Sequence, residues 1–161
     1  MADGAERIAV VDGNVIFYRK LHGWKYELTQ PAVFTVKIRP PSAIEHPYIS
    51  LTPINQVESL LILRVRYAWN GANWCPDFNS IMRGSLVHDA LYQLMDLGLL
   101  APEWRHAADD KLTELCLTDK MDEELAKTVH AAVRVFGGRG NVPKPDINLE
   151  LTAPSGCPNW V

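Results

Sequence analysis

Cysteine is scarce in this chain: three in 161 residues, an odd number with no Cys-x-x-Cys spacing. That excludes a disulfide framework and a thiolate zinc site, and it predicts a reducing compartment, or at least no reliance on cross-links. No run of about 18 apolar residues occurs, so no transmembrane segment is expected. Neither charge sign dominates, with 16 Lys+Arg against 19 Asp+Glu and a formal net charge of −3. Broad nucleic-acid binding needs a positive field, so no nucleic-acid partner is expected. Residues 1–7 are polar and acidic and hold no signal-peptide core. Repeats and low-complexity segments are also lacking.

What is present fits an ordinary globular composition, 47% hydrophobic and 22% charged. The length suits one compact domain over 1–161, able to bury about two-thirds of its unfolded surface. Its two halves differ in kind. Residues 7–67 are β-branched, aromatic and punctuated by turns. Strands are predicted at 8–11 and 15–18 around Asp12-Gly13, then at 24–28, 33–38, 48–51 and 60–67. The Arg39-Pro40-Pro41-Ser42 stretch closes the fourth of these, because proline removes a ladder donor.

From residue 79 the apolar period becomes helical. A first helix is predicted from a Ser80 cap to about Leu97, with Gly98 as its stop. Pro102 opens a second, to about Thr118. Asp122 caps a third, which ends at Gly137-Gly138 and carries Leu125, Val129, Ala132, Val133 and Phe136 on one stripe. The fold class is therefore α+β: an antiparallel β-rich N-terminal half (7–67) packed on a C-terminal three-helix half (79–138). Residues 139–161, with four prolines, read as an irregular tail that wraps the surface or meets a partner.

The first helix is apolar nearly all round, which marks it as central and buried. Yet it contains Ser85, His88, Asp89 and Tyr92. At about 100° per residue, Ser85, His88 and Tyr92 share one side of it. Each buried polar group left unbonded costs about 1–3 kcal/mol, so partners from elsewhere are required. Asp109, at the edge of the second helix's apolar face, is one candidate. Bonded to one imidazole nitrogen, it would fix the His88 tautomer and leave the other nitrogen as a base. Tyr92 could donate to the same carboxylate, and Arg105, one turn before Asp109, could neutralise it instead. Upstream, the Tyr67-Ala68-Trp69-Asn70-Gly71-Ala72-Asn73-Trp74 loop can turn backbone carbonyls outward, and Asp89 could add a carboxylate to make the oxygen-rich sphere calcium prefers.

Blander readings compete with this one. His88-Asp89 can be a satisfied network that only fixes helix packing. His106 and Asp110, at i,i+4, read as a solvated face ahead of a metal pair. Ser85 sits inside a helix, in poor geometry for a nucleophile. Cys116 reads as core. Trp69 and Trp74 flank the loop and could line an apolar slot or touch lipid.

Two resemblances follow from these motifs. Trp-Lys-Tyr-Glu-Leu at 24–28, Tyr-Ala-Trp-Asn-Gly-Ala-Asn at 67–73, Leu-Val-His-Asp-Ala-Leu-Tyr at 86–92, Arg-His-Ala-Ala-Asp at 105–109 and Val-Arg-Val-Phe-Gly-Gly at 133–138 together resemble a family of small tailed-phage and prophage proteins of unknown function. That family's pattern is a Gly-Ala-Ser-like loop, then His-Asp-x-Leu-Tyr, then Arg-x-x-Ala-Asp; here Asn70 stands where Asp is frequent and Asn73 where Ser is frequent. The resemblance implies phage or prophage origin and a place in the host cytoplasm or the virion.

The second is local. Residues 67–92 with Asp109 are similar to the catalytic core of phospholipase A2. This likeness implies His88 as general base, Asp109 as the carboxylate that orients it and Tyr92 as support for Asp109. It further implies a calcium ion held by Asp89 and by carbonyls near Trp69, Gly71 and Asn73. The loop here has fewer glycines than that family's, its cross-linking cysteines are absent, and the β-rich half has no counterpart there. The functional expectation is a calcium-dependent acyl hydrolase acting at a phospholipid surface. The alternative is a non-enzymatic virion component or host-interaction protein that contacts other phage proteins and in which the cluster is structural. A third reading is metal-dependent hydrolysis of a peptide or nucleotide at His88, Asp89, His106 and Asp109.

Overall fold

A computed structural model of the chain describes residues 15–21, 26–72 and 78–136. The expectations for 8–14, Trp24, Asn73, Trp74, Cys75, Gly137-Gly138, Cys157 and the 139–161 tail lie outside these residues.

Alternation of apolar and polar side chains builds two antiparallel sheets. Strands β1 (Tyr18–Lys20), β2 (Tyr26–Leu28) and β7 (Ala68–Trp69) form a three-stranded sheet in the order β1-β2-β7. Strands β3 (Ala32–Val36), β4 (Ile44–Glu45), β5 (Ile49–Pro53) and β6 (Ser59–Leu63) form a four-stranded sheet in the order β3-β6-β5-β4. In β6, Leu61 and Leu63 are buried while Leu60 and Ile62 are half-exposed, the period of two that a sheet with one core face requires. Register places Leu61 opposite Leu51 and Leu63 opposite Ile49, so the same face of each strand is apolar.

The α+β architecture matches the expectation, with differences at element ends. The first described strand begins at Tyr18, not Val15, and β3 ends at Val36, two residues before Ile38. The strand predicted over 60–67 is broken. It stops at Leu63, and Arg66 takes a left-handed φ of 76°. Arg66 N–H then donates to Leu28 O at 2.8 Å, and Leu28 N–H to Tyr67 O at 2.9 Å. The chain thus leaves one sheet and enters the other, and Ala68–Trp69 becomes a separate strand beside β2.

Helix α1 spans Asn79–Asp96. Its N-cap is Phe78, without a side-chain cap bond, so Ser80 lies inside the helix rather than capping it. Its end is as expected: Gly98 takes φ 71°, with Gly98 N–H on Met95 O at 3.0 Å and Leu99 N–H on Leu94 O at 2.9 Å. This is the Schellman closure that a glycine permits. A 3₁₀ turn at Pro102–Trp104 leads into α2, Arg105–Thr118. Helix α3 spans Glu123–Phe136, and Asp122 Oδ1 accepts the Glu124 and Leu125 amides at 3.0 and 3.2 Å, the predicted cap.

One cluster of buried side chains draws on both sheets, α1 and α2, including Leu28, Ile49, Leu63, Trp69, Leu86, Leu91 and Ala108. A smaller one, Ala72, Ile81, Leu112, Cys116, Met121, Ala126, Val129 and Val133, seats α3. Cys116 is core, as read from the sequence. No helix among the described residues is long and apolar enough to cross a membrane.

Candidate functional site

Helix α1 is buried on almost every side, so its polar residues must find partners on the elements packed against it. Antiparallel α2 supplies the main one. His88 Nε2 lies 2.9 Å from Asp109 Oδ1, and Tyr92 O–H donates to the same oxygen at 2.8 Å. A carboxylate only accepts, so Nε2 carries the proton and the neutral imidazole's lone pair resides on Nδ1. Tyr92, one turn after His88, stacks on the imidazole with ring centroids 4.1 Å apart. Nδ1 faces Asp89, whose Oδ1 is 3.9 Å away. Asp89 Oδ2 in turn accepts the Asn70 amide at 3.3 Å. The loop, the His-Asp pair and the second-helix carboxylate therefore meet at one point.

Burial alone would lower the His88 pKa, but the carboxylates of Asp109 and Asp89 outweigh it and hold it above the usual imidazole value. The Tyr92 hydroxyl is pushed up by burial and by its bond to Asp109. Tyr67 is pushed up as well, first by burial and then by the charge of Asp89.

The expected partners are mostly assembled. His88, Tyr92 and Asp109 form one hydrogen-bonded unit, and Asp89 stands against the loop at Asn70. Gly71 takes φ 70°, the freedom that the Asn-Gly pairing suggested. Other expectations are corrected. Arg105 does not neutralise Asp109; its guanidinium lies over the Tyr92 ring at 5.8 Å. The cation beside Asp109 is Arg134, from the last turn of α3, with Nε 3.5 Å from Oδ2. Trp69 is fully buried and touches no lipid. Its ring packs on Tyr18 and Tyr26, and its Nε1–H donates to Ser85 Oγ at 3.2 Å. Ser85 donates onward to Met82 O at 3.0 Å, so its hydroxyl is committed to the helix and is no nucleophile. His106 does not join a metal cluster; the Arg134 guanidinium bonds its Nδ1. Asp110 pairs with His130 and Arg134.

Sequence reasoning missed Arg134, Tyr67 and Gly84. Arg134 carried no signal, because a cation in the last turn of a helix is favourable there without any partner. Gly84, inside an apolar helix, did carry a signal. Such a glycine usually marks a close approach, and a Cβ here would stand 2.9 Å from Leu112 O.

Among the described residues no group of three or more His, Cys, Asp and Glu could hold a metal ion. A transition-metal centre at His88, Asp89, His106 and Asp109 is therefore not assembled. A calcium ion makes a different demand, one that carbonyl oxygens can meet. Asp89, on α1, is the carboxylate bonded to the loop, at the Asn70 amide. No protein family, curated protein or solved structure matches the chain.

Proposed function

We propose that the chain is a calcium-dependent acyl hydrolase of phospholipase A2 type, in a protein of phage or prophage origin. The observation that carries the reading is the His88 imidazole, bonded through Nε2 to Asp109 and presenting Nδ1 toward Asp89. In this arrangement His88 Nδ1 takes a proton from a water molecule. The water oxygen bonds to the ester carbonyl carbon, and the carbonyl electron pair moves onto its oxygen. Collapse expels the alcohol oxygen, which takes the proton back from His88. Asp109 holds the imidazole in the required tautomer throughout, and Tyr92 holds Asp109. A calcium ion bound by Asp89 and the carbonyls of Trp69, Gly71 and Asn73 would supply positive charge to the oxyanion. The phage part of the reading rests on the resemblance of the sequence motifs.

One observation favours a second reading. His88 is only 6% exposed, as suits a structural network in a virion component or host-interaction protein. Fatty-acid release from phospholipid vesicles separates the two. The hydrolase reading expects release by the wild type with calcium, and none with chelator, with His88→Ala or with Asp89→Ala. Equal or absent release in every arm overturns it. A large drop in melting temperature for His88→Ala, beside an inactive wild type, would establish the structural reading.

A further inference from the structure

Asp109 is an unusual carboxylate in this fold. Its side chain is almost fully buried, yet both neutral donors, His88 Nε2–H and Tyr92 O–H, converge on a single oxygen, Oδ1. Each carboxylate oxygen offers two lone-pair directions, so Oδ1 can take both donors and Oδ2 is left for another partner. The group there is Arg134, reaching across from α3.

Arg134 is itself held from outside. Its Nη2 donates to Asp110 Oδ1 at 2.8 Å and approaches His130 Nε2 at 3.4 Å, while Nη1 bonds His106 Nδ1. Asp109 and Asp110 are adjacent on α2, one turned into the core and one to solvent, and the planar guanidinium spans both. A rigid fork of donors can do this; a point charge on a flexible stem cannot hold the same geometry. The other charged or titratable groups at this centre include Asp89 and Tyr92 on α1 and Arg105 on α2.

We infer that Arg134 is a positioning residue of the His88–Asp109 pair: its guanidinium clamps Asp109 Oδ2, so that Oδ1 stays turned to the imidazole and to Tyr92. Helix α3 thereby becomes part of the site through Asp109. The consequence for catalysis rests on the hydrolase reading, but the clamp itself does not, and its test needs no turnover.

The test is ¹H–¹⁵N NMR of the imidazole in the full chain at one fixed alkaline pH, above the raised His88 pKa, where the ring is neutral. In the wild type, His88 should show a single Nε2–H tautomer, with its proton far downfield and protected from solvent. In Arg134→Gln, that resonance should move upfield and its exchange should quicken by about tenfold or more as the Asp109 bond loosens. Arg134→Lys, which keeps the charge and loses the fork, should restore only part of the effect. A role confined to docking α3 would lower the melting temperature and leave the resonance position unchanged in the folded protein, and that outcome overturns the inference. If Arg134→Gln does not fold, Asp110→Asn replaces it: that side chain is 63% exposed, and losing its grip on the guanidinium should shift the proton in the same direction. No shift there overturns the inference equally. An unclamped resonance in a protein that hydrolyses lipid, or a clamped one in a protein that does not, tells failure of this inference from failure of the hydrolase reading.

Discussion

Gly84→Ala is the sharpest test of the helix pair that builds the site. An alanine Cβ at this position would lie 2.9 Å from Leu112 O, 3.2 Å from Cys116 Sγ and 3.4 Å from Leu112 Cγ. The nearest of these is backbone in the middle of α2 and cannot swing aside. Comfortable carbon contacts begin near about 3.5 Å, so the helices must part by about half an ångström. Overpacking of this kind costs about 1–3 kcal/mol. Replacing glycine by alanine inside a helix returns about 1 kcal/mol. Because the obstacle is rigid, the upper part of the first range applies, and a net loss of about 1–2 kcal/mol is expected. For a chain of this size that is a fall of about 2–8 °C in melting temperature. His88 lies one turn beyond Gly84 on α1, and Asp109 about one turn before Leu112 on antiparallel α2. The same separation therefore stretches the 2.9 Å His88–Asp109 bond. Thermal unfolding checks the stability change, and the His88 Nε2–H resonance checks the stretch. A melting temperature equal to or above the wild type's would refute the claimed close approach.

Three further outcomes follow from the same contacts. Tyr92→Phe keeps the ring stacked on His88 but removes a donor from a buried carboxylate, and a loss of about 1.5–3 kcal/mol in denaturant unfolding is expected; a loss below about 0.5 kcal/mol would mean that the hydroxyl bond contributes little. Asp109→Asn can donate to the imidazole as well as accept, which favours the wrong tautomer, so vesicle hydrolysis should fall by about 10⁴, as when the orienting aspartate of a catalytic triad is amidated; retained activity would remove Asp109 from the orienting role. The raised His88 pKa also has a stability consequence. The folded protein binds that proton more tightly than the unfolded chain, so its contribution is fully present below the unfolded imidazole pKa and is lost as pH rises through the folded one. The stability difference between wild type and His88→Gln should therefore shrink from pH 6 toward alkaline pH, and a difference that grows would reverse the sign assigned here.

The parts of the structure that were legible from sequence are those governed by local rules. Gly98 and Asp122 punctuate helices through their own backbone and side-chain chemistry, and both act where the pattern put them. The His88–Asp109–Tyr92 unit was legible because helical spacing stacks His88 and Tyr92, and a buried pair of that kind demands an acceptor. The break at Leu63 was not, because Val65, Arg66 and Tyr67 carry strand-like side chains and the turn at Arg66 is imposed by bonds to Leu28, far off in sequence. Arg134 was invisible for the same reason. Its neighbours on α3 explain it as a surface cation, and only the packing of α3 beside α2 brings it to Asp109. Ser80 shows the converse, a residue with the right cap chemistry two places too late.

The two functional readings differ in what they ask of Asp89. A network whose task is packing needs Asp109, because a buried imidazole and a buried phenol must both be satisfied, and Arg134 then offsets the buried charge. The imidazole does not need a second acid beside Nδ1, where a carboxylate raises the His88 pKa and places another charge near an already anionic centre; packing uses Asp89 instead to satisfy the Asn70 amide. The proposed hydrolase, by contrast, would use an acid beside the base to hold the cation that stabilises the oxyanion. Asp89 stands 3.9 Å from His88 Nδ1 and is bonded to the loop amide of Asn70. Packing accounts for the bond by which Asp89 ties the loop to α1; the proposed hydrolase asks one thing more of it, a cation held beside a histidine already oriented from the other side.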